Sequence, residues 1–190
     1  VNDMDRTFDS PDVNSSVIDD FRNSYTLFQR LDNNTNFVNR LLQRYAAHLG
    51  STFIPQRISD KLDILSSEQS GEIERHIDRW SASDGIPSLA SWQAELDEIK
   101  QYAVDRPANA LSLLQSNLGL SLGMANLTMN RSPSGGGSVR IAGVPMAPGY
   151  NNVVNLFLNT PVELTAGPAP GYAFGSWSTG ETNATIEVTL

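Results

Sequence analysis

Apolar side chains recur at helical spacing through residues 35–118 and at alternating positions through much of 127–190, so the chain reads as two kinds of structure in series. Phe37, Leu41, Leu42, Tyr45 and Leu49 form one stripe, with Asn39, Arg40, Gln43 and Arg44 largely off it. The spacing predicts an amphipathic helix, capped by Thr35 or Asn34 and ended by a left-handed Gly50. A second run follows Pro55 with Ile58, Leu62 and Leu65 on one face, and a third carries Ile73, Ile77 and Trp80. A fourth, capped by Ser88 or Ser91, groups Trp92, Leu96, Ile99 and Ala103. A fifth has Pro107 in its first turn and carries Leu111, Leu114 and Leu118 to a stop at Gly119. Each stripe needs a partner, which implies one helical bundle.

Ahead of these helices, residues 9–23 are rich in Asp, Asn and Ser and read as a surface loop, and Tyr25, Leu27, Phe28 and Leu31 form a short helical turn. Beyond Gly119 the period changes. Strands are expected at 127–130, 138–143, 152–158, 162–166, 172–177 and 184–190, with a Gly/Ser turn at 132–138. Short strands separated by Gly and Pro point to a small antiparallel β-sandwich or roll. The expected fold class is therefore α+β multidomain, with a helical part over residues 1–120 and a β module over 121–190.

Composition sharpens that division. Residues 1–119 hold 18 acidic and 11 basic side chains, whereas 120–190 hold 3 and 2. The net charge of −8 argues against a nucleic-acid surface, which needs clustered Lys and Arg. The absence of cysteine excludes disulfides, thiolate metal sites and cysteine nucleophiles. No apolar run approaches the roughly 20 residues of a transmembrane segment.

Candidate chemistry is sparse. Asp3 and Asp5 flank Met4, and in an extended strand both carboxylates share one face while Met4 points away. Such a pair suits a hard divalent cation such as Mg²⁺, which takes oxygen ligands. A calcium loop counted from Asp3 fails, since its sixth and twelfth positions hold Phe8 and Asn14 rather than Gly and Glu. His48, near the end of the first long helix, favours the helix dipole when charged, and neither it nor His76 has a metal set beside it in sequence. Arg79 and Trp80 read as a packing corner, with the guanidinium stacked or paired with Asp78 or Asp105. Glu95, Asp97 and Glu98 read as the wet face of a helix.

The order of features resembles the carboxy-terminal half of the CotH kinase family, proteins related to spore coat protein H. The matching residues are Asp3, Asp5, Thr7 and Phe8; Leu27, Phe28 and Leu31; Phe37, Arg44 and Tyr45; Thr52, Phe53 and Pro55; His76, Ile77, Arg79 and Trp80; then Trp92, Tyr102, Arg106 and Pro107. The resemblance implies an atypical protein kinase in which Asp3 holds Mg²⁺ or Mn²⁺ bridging the phosphates of ATP, with Asp5 as a second or outer ligand. It also implies that the phosphate-binding lysine, the nucleotide loop and the catalytic base lie upstream, so that this chain is a fragment, inactive alone and partnered by an upstream kinase lobe. Val162–Ala166, Pro170–Phe174, Trp177 and Thr185–Leu190 resemble the divergent β-repeats of bacterial surface proteins, which implies an extracellular or envelope location. The five Asn-x-Ser/Thr sequences, at Asn14, Asn33, Asn126, Asn130 and Asn183, carry no weight in a bacterial protein. The alternative is a non-catalytic surface-associated binding or structural module. A carbohydrate-binding role for the β module requires that at least one of Tyr172, Phe174 and Trp177 lie on the surface.

Overall fold

The computed structural model describes residues 24–81, 86–150 and 152–190. The architecture is α+β: among the described residues, four helices are followed by antiparallel strands. The elements are α1 (Thr26–Leu31), α2 (Thr35–Leu49), α3 (Pro55–Trp80), α4 (Leu89–Asn117), β1 (Met124–Thr128), β2 (Gly137–Ile141), β3 (Val144–Pro145), β4 (Val153–Phe157), β5 (Val162–Pro168) and β6 (Thr185–Val188). Among the described residues, Pro55–Asn109 form one compact unit, and 24–54 with Ala110–Leu190 form a second. The second unit holds α1, α2, the end of α4 and every described strand.

The helical unit corrects two expected breaks. The runs before and after residue 70 are one 26-residue helix, α3, with Gly71 inside it. A lone glycine costs a helix about 1 kcal/mol, too little to end it where no proline follows. Likewise the fourth and fifth runs are one 29-residue helix, α4, which continues through Pro107 although its ring denies the helix one N–H donor. Ser88 starts α4 as expected, its Oγ accepting from Ser91 N at 3.1 Å. Lys100 on α4 meets Asp63 on α3 at 2.6 Å. No residue of α3 is buried.

In the second unit, α2 begins where Asn34 Oδ1 accepts from Phe37 N at 3.1 Å, which settles the cap in favour of Asn34. Phe28 on α1 stands edge-on to Phe37, with ring centroids 5.7 Å apart. The deepest residues of α2 are Leu42, Gln43, Ala46 and Ala47, so Gln43 lies on the buried face rather than off it. Its amide is fully used. Nε2 donates to Phe157 O at 2.9 Å and to Thr160 O at 2.7 Å, and Oε1 accepts from Phe157 N at 3.1 Å. One side chain thereby stands in for a neighbouring strand at the end of β4, satisfying backbone groups that burial would otherwise strand.

Small residues on this face let the helix approach closely. Gly50 has φ −83, so it is not left-handed as expected. Its need is space: a Cβ there would lie 2.7 Å from Val154 Cγ1. Gly119, in contrast, does end α4 with φ +66. Its N–H donates to Ser116 O and that of Leu120 to Gln115 O, the paired closure of a Schellman motif.

The strands form a two-stranded sheet, β1–β4, and a four-stranded sheet in the order β3–β2–β5–β6, antiparallel throughout. Ala142 (φ 50) and Gly143 (φ 78) make the two-residue β2–β3 turn, whose paired positive φ suits the twist of a hairpin. Arg44 Nη1 donates to Ala142 O at 3.0 Å, fastening α2 to that turn, while Ser51 Oγ donates to Pro145 O at 2.5 Å just beyond it. Residues from both sheets and from α2 and α4 make one core, including Leu42, Leu114, Ile141, Leu156 and Phe157. Residues 172–177 are not the expected strand. They run as an irregular loop closed by a turn in which Gly180 N donates to Trp177 O.

Candidate functional site

Asp3 and Asp5, the expected metal ligands, lie outside the described residues. Among the described residues, no group of three or more His, Asp or Glu side chains is placed to hold a metal ion. His48 and His76 are accordingly not brought into such a set. His48 Nδ1 lies 3.1 Å from Thr52 Oγ1, and its ring is 6.3 Å from that of Phe53. Partial burial, then the charge of Arg44 one turn earlier, holds its pKa below the ordinary 6.5, so the imidazole is biased toward neutrality. The expected gain of a charged His48 from the helix dipole is outweighed. The carbonyl of Ala46 already accepts from Gly50 N, and that of His48 from Ser51 N and Phe53 N.

Arg79 stacks on Trp80, its guanidinium carbon 5.0 Å from the ring centroid, but Trp80 is 45% exposed, so the stack lies at the surface rather than in a packing corner. Asp97 accepts from Gln93 Nε2 at 3.1 Å along the helix, and Glu95, Asp97 and Glu98 face solvent as expected. Among the described residues no helix is long and apolar enough to cross a membrane.

A concavity lies in the β region. A cleft of about 700 Å³ opens over the four-stranded sheet. Its floor is one sheet face: the register pairs Val139 with Ala166 and Leu164 with Ile186, and residues two apart share a side. One wall is the chain leaving β1, from Leu127 to Pro133, and the other is the loop 172–179. Arg131 is the one charged residue in the lining, and its Nη1 donates to Gly137 O at 2.8 Å.

The loop wall is fixed from within. Trp177 N donates to Glu181 O at 2.8 Å, and its indole Nε1 donates to Asn183 O at 2.8 Å. Phe174 leans on the indole with centroids 5.3 Å apart. Thr179 Oγ1 donates to Glu181 Oε2, and this bond first, then the Glu181 backbone N–H, draws the carboxyl pKa below its ordinary value. Tyr172 is 50% exposed, so the three aromatics are not all buried. The sequence singled out this aromatic stretch but not Arg131 or Thr128, which reach the same cleft from beyond a turn and carry no local signal.

No curated protein and no solved structure gives a significant match to the chain. A family model does match, that of the CotH kinase protein, over residues 2–110. Its span takes in the Asp3-Met4-Asp5 segment, the whole helical unit and the Thr52-Phe53-Ile54-Pro55 link, and stops short of the first strand. It covers more than half of the sequence, and the chain belongs to the CotH kinase family.

Proposed function

We propose that this chain is the carboxy-terminal part of a CotH-type atypical protein kinase that transfers phosphate from ATP to protein hydroxyls. The observation that carries the reading is the family match, whose first residues include Asp3 and Asp5. Two carboxylates on alternate residues provide hard oxygen donors of the kind Mg²⁺ and Mn²⁺ prefer. When bound, the ion supplies neutralisation of the charge on the phosphoryl oxygens during transfer. Asp3 would serve as the direct ligand, and Asp5 as a second or outer one. The helical unit is the scaffold that continues from this segment.

Phosphoryl transfer also needs a lysine on the phosphates, a loop over the nucleotide and a base on the acceptor hydroxyl. The resemblance assigns none of these to residues 1–190, so the reading makes the chain one part of the catalytic domain, inactive by itself. The β region is a surface-repeat-like module of the same protein, which acts at the cell envelope or outside the cell.

The test is transfer from labelled ATP to the protein itself and to a generic acceptor protein, by the full-length kinase with Mg²⁺ or Mn²⁺, native against Asp3→Ala. Incorporation by the first, reduced at least about a hundredfold in the second, is expected. Folded protein that transfers nothing with either metal would favour the non-catalytic module instead.

A further inference from the structure

We infer that the cleft between the β1 exit and the loop 172–179 binds an oligosaccharide chain. The inference stands apart from phosphoryl transfer, since every residue it uses lies beyond the family match, which ends at residue 110.

Size comes first. About 700 Å³ falls within the range of clefts that take small ligands, and is too large to be a packing fault of one side chain. Its floor is apolar: Val139 and Leu164 are buried there, and Ile186 and Val188 face into it half-buried while packing on the core.

The chemistry of the walls then selects the occupant. A cation finds no carboxylate side chain among the lining residues, and Arg131 opposes it. In a chain of net charge −8, the side chains of this cleft carry no negative charge. A purely aliphatic ligand leaves the polar wall without partners, because Thr128, Asn130, Ser176 and Ser178 also line the space. Asn130 Oδ1 already accepts from Asn152 Nδ2 at 2.7 Å, which holds that wall in place. The required ligand has apolar C–H faces and a rim of hydroxyls, and that is the character of a pyranose ring.

The aromatic loop supplies the complementary platform. The indole N–H of Trp177 is occupied by Asn183 O, so the loop offers ring surface rather than donors. Aromatic faces are negative and attract the slightly positive C–H groups of a sugar face. Tyr172, exposed at the rim, is the side chain a sugar unit would stack on, and its hydroxyl makes no hydrogen bond to the described residues. The backbone bonds within the loop mean that little ordering remains to be done on binding.

The experiment is calorimetric titration of the 190-residue chain with three hexasaccharides: β-1,4-linked glucose, β-1,4-linked N-acetylglucosamine and α-1,4-linked galacturonate. Binding of at least one, with Kd of roughly 10 µM to 1 mM, is expected. Tyr172→Ala should weaken it about tenfold, while Tyr172→Phe, which keeps the ring face, should change it less than about twofold. Tyr172 is a surface residue, so unchanged Tm values establish that both variants fold. No binding of any of the three sugars at about 5 mM, or equal binding by native protein and Tyr172→Ala, overturns the inference.

Discussion

The two compact units are stabilised by different physics. In the second unit, apolar residues from α2, α4 and both sheets are fully buried in one cluster. In the helical unit, Ala103 is the one fully buried apolar residue among those described, and α3 buries none. Apart from the Lys100–Asp63 pair between α4 and α3, the polar contacts there are mostly local. Gln56 bonds Asp60, Gln93 bonds Asp97 and Gln101 bonds Asp105, each four residues apart, and Glu72 pairs with Arg75. Such contacts contribute a few tenths of a kcal/mol each and are screened by salt. Ile64, Leu65, Trp80, Leu89 and Val104 remain exposed on the same unit. Regular secondary structure and a packed core are thus separate achievements: α3 and most of α4, the longest helices among the described residues, belong to the less buried unit.

The largest effect that sharpens this contrast is expected at Gln43. Gln43→Leu keeps nearly the same volume but leaves Phe157 N, Phe157 O and Thr160 O buried without their partner. Unsatisfied buried groups cost about 1–3 kcal/mol each, so the loss should reach about 3–5 kcal/mol. Urea denaturation measures the total, and amide exchange at β4 locates it. In the helical unit, the matching change Leu65→Ala, at a side chain 40% exposed, should cost under about 1 kcal/mol. A Gln43→Leu cost as small as that would mean water reaches those backbone groups and the core is looser than its burial implies.

Two glycines offer a smaller test of opposite sign. At Gly71 nothing lies within 4 Å of an added Cβ, so Gly71→Ala should stabilise α3 by about 0.5–1 kcal/mol through lost freedom of the unfolded chain. At Gly50 the backbone is equally permissive, yet the added methyl strikes Val154, and Gly50→Ala should cost about 1–3 kcal/mol. Pairing it with Val154→Ala should recover part of that loss, a coupling that a double-mutant cycle reads directly. If both glycine substitutions stabilise, α2 is not pressed against β4 as closely as the distance says.

These residues also show what was legible in the sequence. Asn34, Ser88 and Gly119 act on backbone groups within a few positions, so capping chemistry identified them. Gln43 was assigned to the polar face because its partners lie 114 and 117 residues away. Gly50 was recognised as special for the wrong reason: a close approach to another strand leaves no local trace. The runs on either side of residue 70, and those on either side of Pro107, read as separate helices because each stripe was matched locally, whereas the continuity of α3 and α4 is set over many residues. The alternation at 172–177 suggested a strand, but Trp177 directs its backbone to Glu181 and Gly180 within its own loop. The aspartates that carry the kinase reading were singled out by their alternate spacing, took their kinase role from the resemblance, and lie outside the described residues.

The smallest effect is a pH dependence confined to the second unit. With its pKa held below 6.5 by burial and Arg44, His48 stays neutral in the folded state while the unfolded chain takes up a proton near 6.5. Between those two values the unfolded state binds more protons, so stability rises with pH there. It should therefore fall as pH drops through 6.5 and level off once the folded imidazole is also charged. His48→Gln removes the proton and should flatten the difference between pH 7.5 and 5.0 that remains after the carboxylates are accounted for, in denaturation curves of both proteins. The ring signal of His48, followed by NMR, supplies the independent check. A titration midpoint above 6.5 would mean that the helix end outweighs both desolvation and Arg44, and that the imidazole of α2 stabilises the fold as a cation rather than as a neutral packing element.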